Sequence, residues 1–236
     1  MNQKISIITV NYNNRCGLIE TINSVLSQTY ENIEFVIVDG ASTDGSVDAL
    51  LGYNDERITF ISEKDFGIYD AMNKGISLAS GDWLVFMNSG DQFYNNSVIE
   101  TVVNNPNVMN DSVKLLYGDK VLDGVVYPAL DLSKNIETGG MFACHQSMFF
   151  RPNIKYNLSY KIYGDYDLLA RIYKSYGPNS FYYLDMTICQ IEGGGISSKV
   201  SYLKRKEKIL SLITNFGLRG LSLFLKHTIR VKWNRQ

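Results

Sequence analysis

The chain has 236 residues, of which 45% are hydrophobic and only four are proline, a composition that excludes a disordered protein. Three scattered cysteines without CxxC spacing exclude a disulfide framework, and two histidines exclude a histidine-based metal cluster. The first apolar run, Ile5 to Val10, stops too early for an export signal, and no apolar run approaches the roughly 18 residues of a membrane span. We therefore expect a cytoplasmic protein.

The net charge of −1 conceals a basic tail. From Lys199 to the end there are ten Lys or Arg residues and a single acid, Glu207, so the preceding part of the chain is acidic. Apolar residues alternate with the basic ones in this tail, which predicts an amphipathic helix. Such a helix binds an anionic membrane surface, or it packs on the domain with a solvated basic face. The basic tail contains no recognisable nucleic-acid-binding motif.

Hydrophobic periodicity predicts strands alternating with helices in the first half of the chain. The predicted strands are Ile5–Val10, Ile33–Val38, Ile58–Ile61 and Trp83–Met87, with helical spacing from Leu18 to Leu26 and from Ile68 to Ala79. This alternation indicates a mostly parallel, doubly wound α/β sheet with right-handed crossovers.

The pattern after Asp91 is looser. It predicts a helix at 97–103, strands at 114–117 and 121–127 around a Gly118-Asp119 turn, a strand at 147–150, a helix at 165–176, a strand at 181–191 and a glycine turn at 193–195. We interpret the chain as one domain over residues 1–198, with a nucleotide-binding half (1–105) and an acceptor half (106–198), followed by the tail, 199–236.

Two strands end in acidic turns. Asp39 ends the second strand, with Asp44 in the following turn, and Asn88-Ser89-Gly90-Asp91 follows the fourth. Ligands bind at the carboxyl ends of strands in open α/β sheets, and an Asp carboxylate accepts hydrogen bonds from a nucleotide base or binds Mg²⁺ or Mn²⁺. Asp39 and Asp91 equally suit the helix caps or turns in which Asp is common.

Two further candidates lie in the second half. Asp165 is in the first turn of a predicted helix, where the helix dipole keeps a carboxylate ionised and fit to act as a base, although capping alone also explains it. His145 is a candidate contact for a phosphate or a sugar hydroxyl, and a lone histidine is more often structural.

Together these segments resemble the family 2 glycosyltransferases, which have the GT-A fold and are common in bacterial surface-polysaccharide assembly. The resemblance rests on SIITVNY at 6–12, VDGASTDGS at 38–46, DFGIYDAMNKG at 65–75, FMNSGD at 86–91 and GDYDL at 164–168. It is strongest with transferases of colanic-acid, O-antigen and capsule clusters.

The resemblance implies a role for each candidate residue. A nucleotide diphosphate sugar, with UDP the expected nucleotide, would bind to Thr9, Tyr12, Asp39, Asp44, Asp65, Asp70, Asn73, Lys74 and Asn88. Asp91 would hold Mg²⁺ or Mn²⁺, and Asp165 would be the base of an inverting transfer to a glycan or polyprenyl-linked acceptor. The usual Asp-X-Asp metal motif is replaced by Asn88-Ser89-Gly90, so only Asp91 remains there.

A catalytically weak nucleotide-sugar-binding or scaffold protein of the same fold would fit the reduced metal motif. A dinucleotide-dependent oxidoreductase is excluded because no GxGxxG follows the first strand.

Overall fold

The computed structural model describes residues 3–191 and 201–233. Its strands are β1 (Ile5–Asn11), β2 (Ile33–Asp39), β3 (Ile58–Ser62), β4 (Trp83–Phe86), β5 (Gln92–Phe93), β6 (Leu115–Leu122), β7 (Val125–Tyr127), β8 (Met148–Phe150) and β9 (Phe181–Ile191). Its helices are α1 (Arg15–Leu26), α2 (Ser46–Leu51), α3 (Ile68–Leu78), α4 (Val98–Val103), α5 (Leu132–Ile136), α6 (Gly164–Tyr176) and α7 (Tyr202–Trp233). Three short 3-10 turns span Pro106–Met109, His145–Ser147 and Pro178–Ser180.

The described strands form one sheet in the order β3-β2-β1-β4-β8-β6-β9-β5, with β7 paired to β6. Strands β1 to β4 pair in parallel, β8 is antiparallel to both β4 and β6, and β6 and β9 are again parallel. The predicted doubly wound sheet is thus confirmed for the first half. The two halves share this sheet, joined through β8, rather than forming separate layers.

Helices cover both faces of the sheet, which explains why its central strands are almost continuously apolar. Ile8 points to the face covered by α3, α6 and the start of α7, and Ile7 points to the face covered by α1 and α4. A Cβ added at Gly75 would overlap the side chain of Ile8, so this glycine lets α3 pack closely against β1.

One predicted turn is wrong. The Gly118-Asp119 pair lies inside β6, and the chain reverses instead at Asp123-Gly124, where both residues have positive φ. A Cβ at Gly118 would overlap the carbonyl of Met186, so this glycine permits close approach of β9 at an irregular pairing. The predicted glycine turn at 193–195 lies outside the described residues.

Helix α7 is broken at Gly217, whose φ of 62° and ψ of −154° are not helical. Before the break Leu212 is completely buried, and after it Leu218 is 80% exposed. By length and composition alone, the stretch Tyr202–Lys226 would suffice to cross a membrane, with a mean hydropathy of 1.2. The prediction that no apolar run approaches the length of a membrane span is therefore wrong by length and composition. The core helix of a soluble protein can meet the same criterion.

A partly buried polar cluster joins the amino-terminal ends of β1 and β2 and gives a first prediction. Glu34 accepts hydrogen bonds from Ser6 Oγ at 2.5 Å, from Ser80 N at 2.7 Å and from Lys4 Nζ at 2.9 Å. Burial alone would raise the pKa of Glu34, but these hydrogen bonds lower it to about 2.

We expect Glu34→Gln to lower the free energy of unfolding at pH 7 by about 1–3 kcal/mol, because the carboxylate is better bound in the folded chain. Since the folded-state pKa is depressed, this contribution is present above the ordinary pKa of Glu and is lost as the pH falls toward 2. Urea unfolding at pH 7 and near pH 2 measures it, with the exposed Glu63→Gln as control. A deficit that persists unchanged at pH 2 would refute this explanation.

Candidate active site

The carboxyl ends of β1 and β2 carry a buried hydrogen-bond network centred on Asp39. Its Oδ1 accepts from Asn11 Nδ2 at 2.7 Å and from Ser42 Oγ at 2.6 Å, while Oδ2 accepts from Ser42 N at 2.9 Å and Ser62 Oγ at 2.7 Å. Burial would raise the pKa of Asp39, but these donors hold it below its usual value. Asp39 is therefore an ionised carboxylate, and a base N–H would replace one of these donors to reach it.

Two other residues predicted to bind the sugar nucleotide, Tyr12 and Asp65, lie over the same strand end. A Cβ built at Gly40 would lie 2.7 Å from Asp65 Oδ2 and 3.1 Å from the ring of Tyr12. The Tyr12 side chain is 69% exposed, so its ring offers an open aromatic surface beside Asp39. The structure thus brings Tyr12, Asp39 and Asp65 together at one edge of the sheet.

Thr9 and Asp44, also predicted to bind the sugar nucleotide, make hydrogen bonds within the chain. Thr9 is completely buried and its hydroxyl donates to Met87 O at 2.6 Å, so it joins β1 to the end of β4 and does not line a cleft. Asp44 accepts from Arg15 N at 2.8 Å and Ser46 Oγ at 2.6 Å, holding the starts of α1 and α2. Both therefore make structural contacts in this conformation, and their role in binding the sugar nucleotide stays a prediction.

Three further residues predicted to bind the sugar nucleotide, Asp70, Asn73 and Lys74, lie in the first turns of α3. Asp70 accepts from Phe66 N at 3.1 Å and lies 3.7 Å from Lys74 Nζ, which also pairs with Glu63 at 2.7 Å. Asn73 makes two hydrogen bonds to the backbone of Tyr156, at 2.8 and 3.0 Å. In this conformation Asp70, Asn73 and Lys74 secure the loop before α3 and fix α3 to the second half.

Asp91 follows β4 and is 7% exposed. Its Oδ2 accepts from Gln146 Nε2 at 2.7 Å, and its backbone carbonyl accepts from Thr21 Oγ1 at 2.8 Å. Helix α4 has no side-chain cap, so the alternative interpretation of Asp91 as its cap does not hold. The nearby Asn88 Oδ1 is buried without a hydrogen-bond partner among the described residues.

These oxygens decide how well the site fits a divalent cation. No group of three or more His, Cys, Asp or Glu side chains suited to a metal occurs within residues 3–191 and 201–233. A carboxylate at Asp91 and an unpaired amide oxygen at Asn88 are hard donors, and Mg²⁺ commonly binds through one or two carboxylates together with substrate phosphates. The residues fit a cation that is held jointly with a diphosphate.

Asp165 lies in the first turn of α6, beside a buried histidine. Its Oδ1 is 3.9 Å from His145 Nε2, and within the described chain that oxygen is buried with no hydrogen-bond partner. Burial raises the pKa of Asp165, and the neighbouring His145 opposes this shift. Helix α6 has Tyr163 as its N-cap and no side-chain cap, so Asp165 does not cap it.

His145, the candidate contact for a phosphate or a sugar hydroxyl, lies in an aromatic environment. Its ring is 6% exposed, lies among Phe86, Phe150 and Tyr156, and its Nε2 hydrogen-bonds Tyr156 Oη at 2.5 Å. Burial lowers the pKa of His145 even though Asp165 acts to raise it, so the ring is neutral near pH 7. In this conformation His145 is a buried neighbour of Asp165, and its contact with a phosphate or a sugar hydroxyl stays a prediction.

The 3-10 turn His145–Ser147 connects the two candidate carboxylates. Gln146 contacts Asp91, and the preceding residue, His145, contacts Asp165. Sequence reasoning gave no role to Gln146, nor to Tyr69, whose hydroxyl accepts from Gly164 N at 3.0 Å. The contact between Gln146 and Asp91 joins residues 55 positions apart, and that between Gly164 and Tyr69 joins residues 95 positions apart. A local sequence pattern does not predict contacts over such separations.

The chain is similar to known glycosyltransferases. The family described as "Glycosyl transferase family 2" matches residues 6–114. A "PGL/p-HBAD biosynthesis glycosyltransferase" of Mycobacterium bovis is 30% identical, with 96% of this chain and 91% of the relative covered. An uncharacterised glycosyltransferase of Mycobacterium tuberculosis is 31% identical, over 82% of this chain and 77% of its own.

Solved structures share the fold. TarS of S. aureus in complex with UDP-GlcNAc gives a TM-score of 0.73 at 16% identity, covering 94% of this chain and 70% of TarS 1–349. Glucosyl-3-phosphoglycerate synthase of Mycobacterium tuberculosis with Mn²⁺ and UDP gives 0.64 at 14% identity, covering 91% of this chain and 80% of that one. The resemblance and the GT-A fold that it implied are thereby confirmed. The chain belongs to glycosyltransferase family 2.

Proposed function

We propose that this glycosyltransferase is an inverting enzyme that moves a sugar from a nucleotide diphosphate sugar to an acceptor hydroxyl, with Asp165 as the base. The observation that carries the proposal is the buried, unpaired Oδ1 of Asp165. Leaving a charged oxygen unpaired costs stability, and an acceptor hydroxyl would supply the missing hydrogen-bond donor. A raised pKa also makes the carboxylate a better proton acceptor near neutral pH.

The step follows from this arrangement. The acceptor oxygen attacks the anomeric carbon from the side opposite the diphosphate, the bond from that carbon to the diphosphate oxygen breaks, and the nucleoside diphosphate leaves with the bonding electrons. The acceptor proton passes to Asp165 as the new bond forms. Because burial lowers the pKa of His145, the ring is neutral and does not form an ion pair with the Asp165 carboxylate that would weaken it as a base.

Asp91, with the amide oxygen of Asn88, is the proposed holder of Mg²⁺ or Mn²⁺. When bound, the cation supplies positive charge to the leaving diphosphate. The relation to structures solved with Mn²⁺, including a Pyrobaculum calidifontis mannosyltransferase with GDP-Man, supports this assignment.

UDP is the proposed nucleotide, with Tyr12, Asp39 and Asp65 at its base and ribose. TarS with UDP-GlcNAc and the synthase with UDP support UDP. The acceptor is proposed to be a glycan or polyprenyl-linked glycan of bacterial surface polysaccharide, in the cytoplasm or at the inner membrane face.

The test is nucleoside diphosphate release from UDP-, GDP- and dTDP-sugars, with and without polyprenyl-linked glycan acceptors, followed by analysis of the anomeric configuration of the product. Acceptor-stimulated release with inversion supports the proposal. Donor binding without any transfer would instead favour the nucleotide-sugar-binding or scaffold alternative.

Peripheral membrane association is proposed for the part of α7 after Gly217 only. Before that break, α7 is packed on the domain through buried Leu212 and Asn215. Beyond it, Leu218 and Leu225 are 80% and 52% exposed, next to Arg219 and Lys226. Exposed leucines beside basic residues suit an anionic membrane surface.

We expect the full chain to float with phosphatidylglycerol vesicles and Leu218→Glu/Leu225→Glu to lose most of this binding, because the charges oppose insertion of the apolar face. Liposome flotation measures it, with the exposed Leu51→Glu as control. Equal flotation of the full chain and the double variant would refute membrane binding by this segment.

A further inference from the structure

The single acid of the basic tail is buried against the turn that precedes Asp165. The carboxylate of Glu207, on α7, is 5% exposed. It accepts hydrogen bonds from three consecutive backbone N–H groups, those of Lys161, Ile162 and Tyr163, each at 2.9 Å. Tyr163 is the N-cap of α6, two residues before Asp165.

The same turn is held from the other side by α3. Tyr69 Oη donates to Ile162 O at 2.9 Å and accepts from Gly164 N at 3.0 Å. A Cβ at Gly164 would lie 2.7 Å from the Tyr69 ring, so the chain passes directly against it. The segment from 161 to 165 is therefore fixed between Tyr69 and Glu207, elements far apart in sequence.

Glu207 also belongs to a polar face of α7 that is packed on α6. One and two helical turns further along, Ser211 Oγ and Asn215 Nδ2 donate to Asp167 Oδ1 at 3.3 and 3.1 Å. Asp167 additionally accepts from Arg171 Nε at 2.9 Å. These contacts fix the register of α7 on α6, so that Glu207 meets the turn at its N-terminal end.

Burying a carboxylate is costly unless hydrogen bonds compensate it, and within the described residues the hydrogen bonds to the Glu207 carboxylate come from this turn. An apolar residue would suffice to pack α7 on the domain, so packing alone does not explain an acid here. Three N–H groups on one carboxylate restrict the backbone immediately before Asp165.

We propose that Glu207 is a positioning residue for catalysis: it fixes the 161–163 backbone and thereby the orientation of the Asp165 carboxylate. This inference rests on the proposed role of Asp165 as base. It also makes the first half of α7 a part of the active-site structure rather than a separable appendage.

The experiment compares Glu207→Ala and Glu207→Gln with Asn215→Ala, which loosens the same helix interface away from the turn. Hydrogen exchange of the 161–165 amides is expected to accelerate in Glu207→Ala and less in Glu207→Gln, which retains one acceptor oxygen. Asn215→Ala should leave it unchanged. Thermal unfolding of all variants shows that each is folded.

With UDP-glucose and UDP-GlcNAc as probes, kcat for UDP release is expected to fall on the order of 100-fold in Glu207→Ala, since about 1 Å of misplacement has this effect. KM should change less than about threefold, and Glu207→Gln should be intermediate. Unaltered exchange, or faster exchange with unaltered kcat, would overturn the proposal.

A wild-type protein that releases no UDP would count against the proposed function rather than against the positioning role. That role is then decided by the exchange data and by NMR titration of the Asp165 carboxyl. We expect the raised pKa of Asp165 to move toward its ordinary value in Glu207→Gln and not in Asn215→Ala, because a loosened turn admits water. An unchanged titration would overturn the positioning role.

Discussion

Replacing Asp165 with Asn is expected to lower transfer by about 10²–10⁴-fold, because an amide cannot accept the acceptor proton. Donor binding should be retained, since Asp165 at α6 is not among the residues proposed to hold the nucleotide. The wild-type rate should fall with acid at a higher pH than an ordinary Asp would give, because burial raises the pKa of Asp165.

The same substitution is expected to increase stability at pH 7 by about 1 kcal/mol, through loss of an unpaired buried charge. With a raised folded-state pKa, ionisation opposes folding as the pH rises through that pKa, so the gain should be absent below about pH 4. Asp111→Asn, at a fully exposed side chain, is the control for both effects. Full activity in Asp165→Asn would eliminate this residue as the base.

Replacing Asp91 with Ala is expected to abolish the effect of Mn²⁺ on donor binding and to weaken binding at least about 10-fold in its presence, about 1.4 kcal/mol. The reason is that Asp91 supplies the carboxylate at the proposed cation site. Isothermal titration with UDP, with and without Mn²⁺, measures this directly.

Gln146→Ala is the matched control for Asp91. It removes the 2.7 Å hydrogen bond to Asp91 Oδ2 but leaves the carboxylate in place. We expect Gln146→Ala to keep the Mn²⁺ dependence of UDP binding. If Asp91→Ala binds UDP as the wild type does, with the same response to Mn²⁺, Asp91 does not hold the cation.

The first half of the fold was predictable from sequence because its central strands β1, β2 and β4 are mostly buried on both faces. Continuous apolar runs such as residues 35–38 of β2 stand out, and Gly or polar residues mark their ends. The turn predicted at Gly118 failed because glycine serves two purposes. There it permits close approach between β6 and β9, a long-range contact that a local pattern does not reveal.

The candidate site also contains residues that the sequence predicts and contacts that only the structure reveals. Tyr12, Asp39 and Asp91 follow strand ends, and topology alone places such residues at one edge of the sheet. The resemblance pointed to Asp165, and the structure explains its environment through His145 and Tyr156. Glu207 could have been noticed as the one acid among ten basic residues of the tail, although its target, 44 to 46 residues earlier, could not.

We expect the residues at the carboxyl ends of β1, β2 and β4 to bind a nucleotide diphosphate sugar together with a divalent cation. Ligand-observed NMR on the full chain, with UDP-, GDP- and dTDP-sugars in the presence and absence of Mn²⁺, tests it most directly. The proposed function predicts binding of one nucleotide class, UDP, strengthened by Mn²⁺. Absence of binding to every donor under both conditions would contradict it.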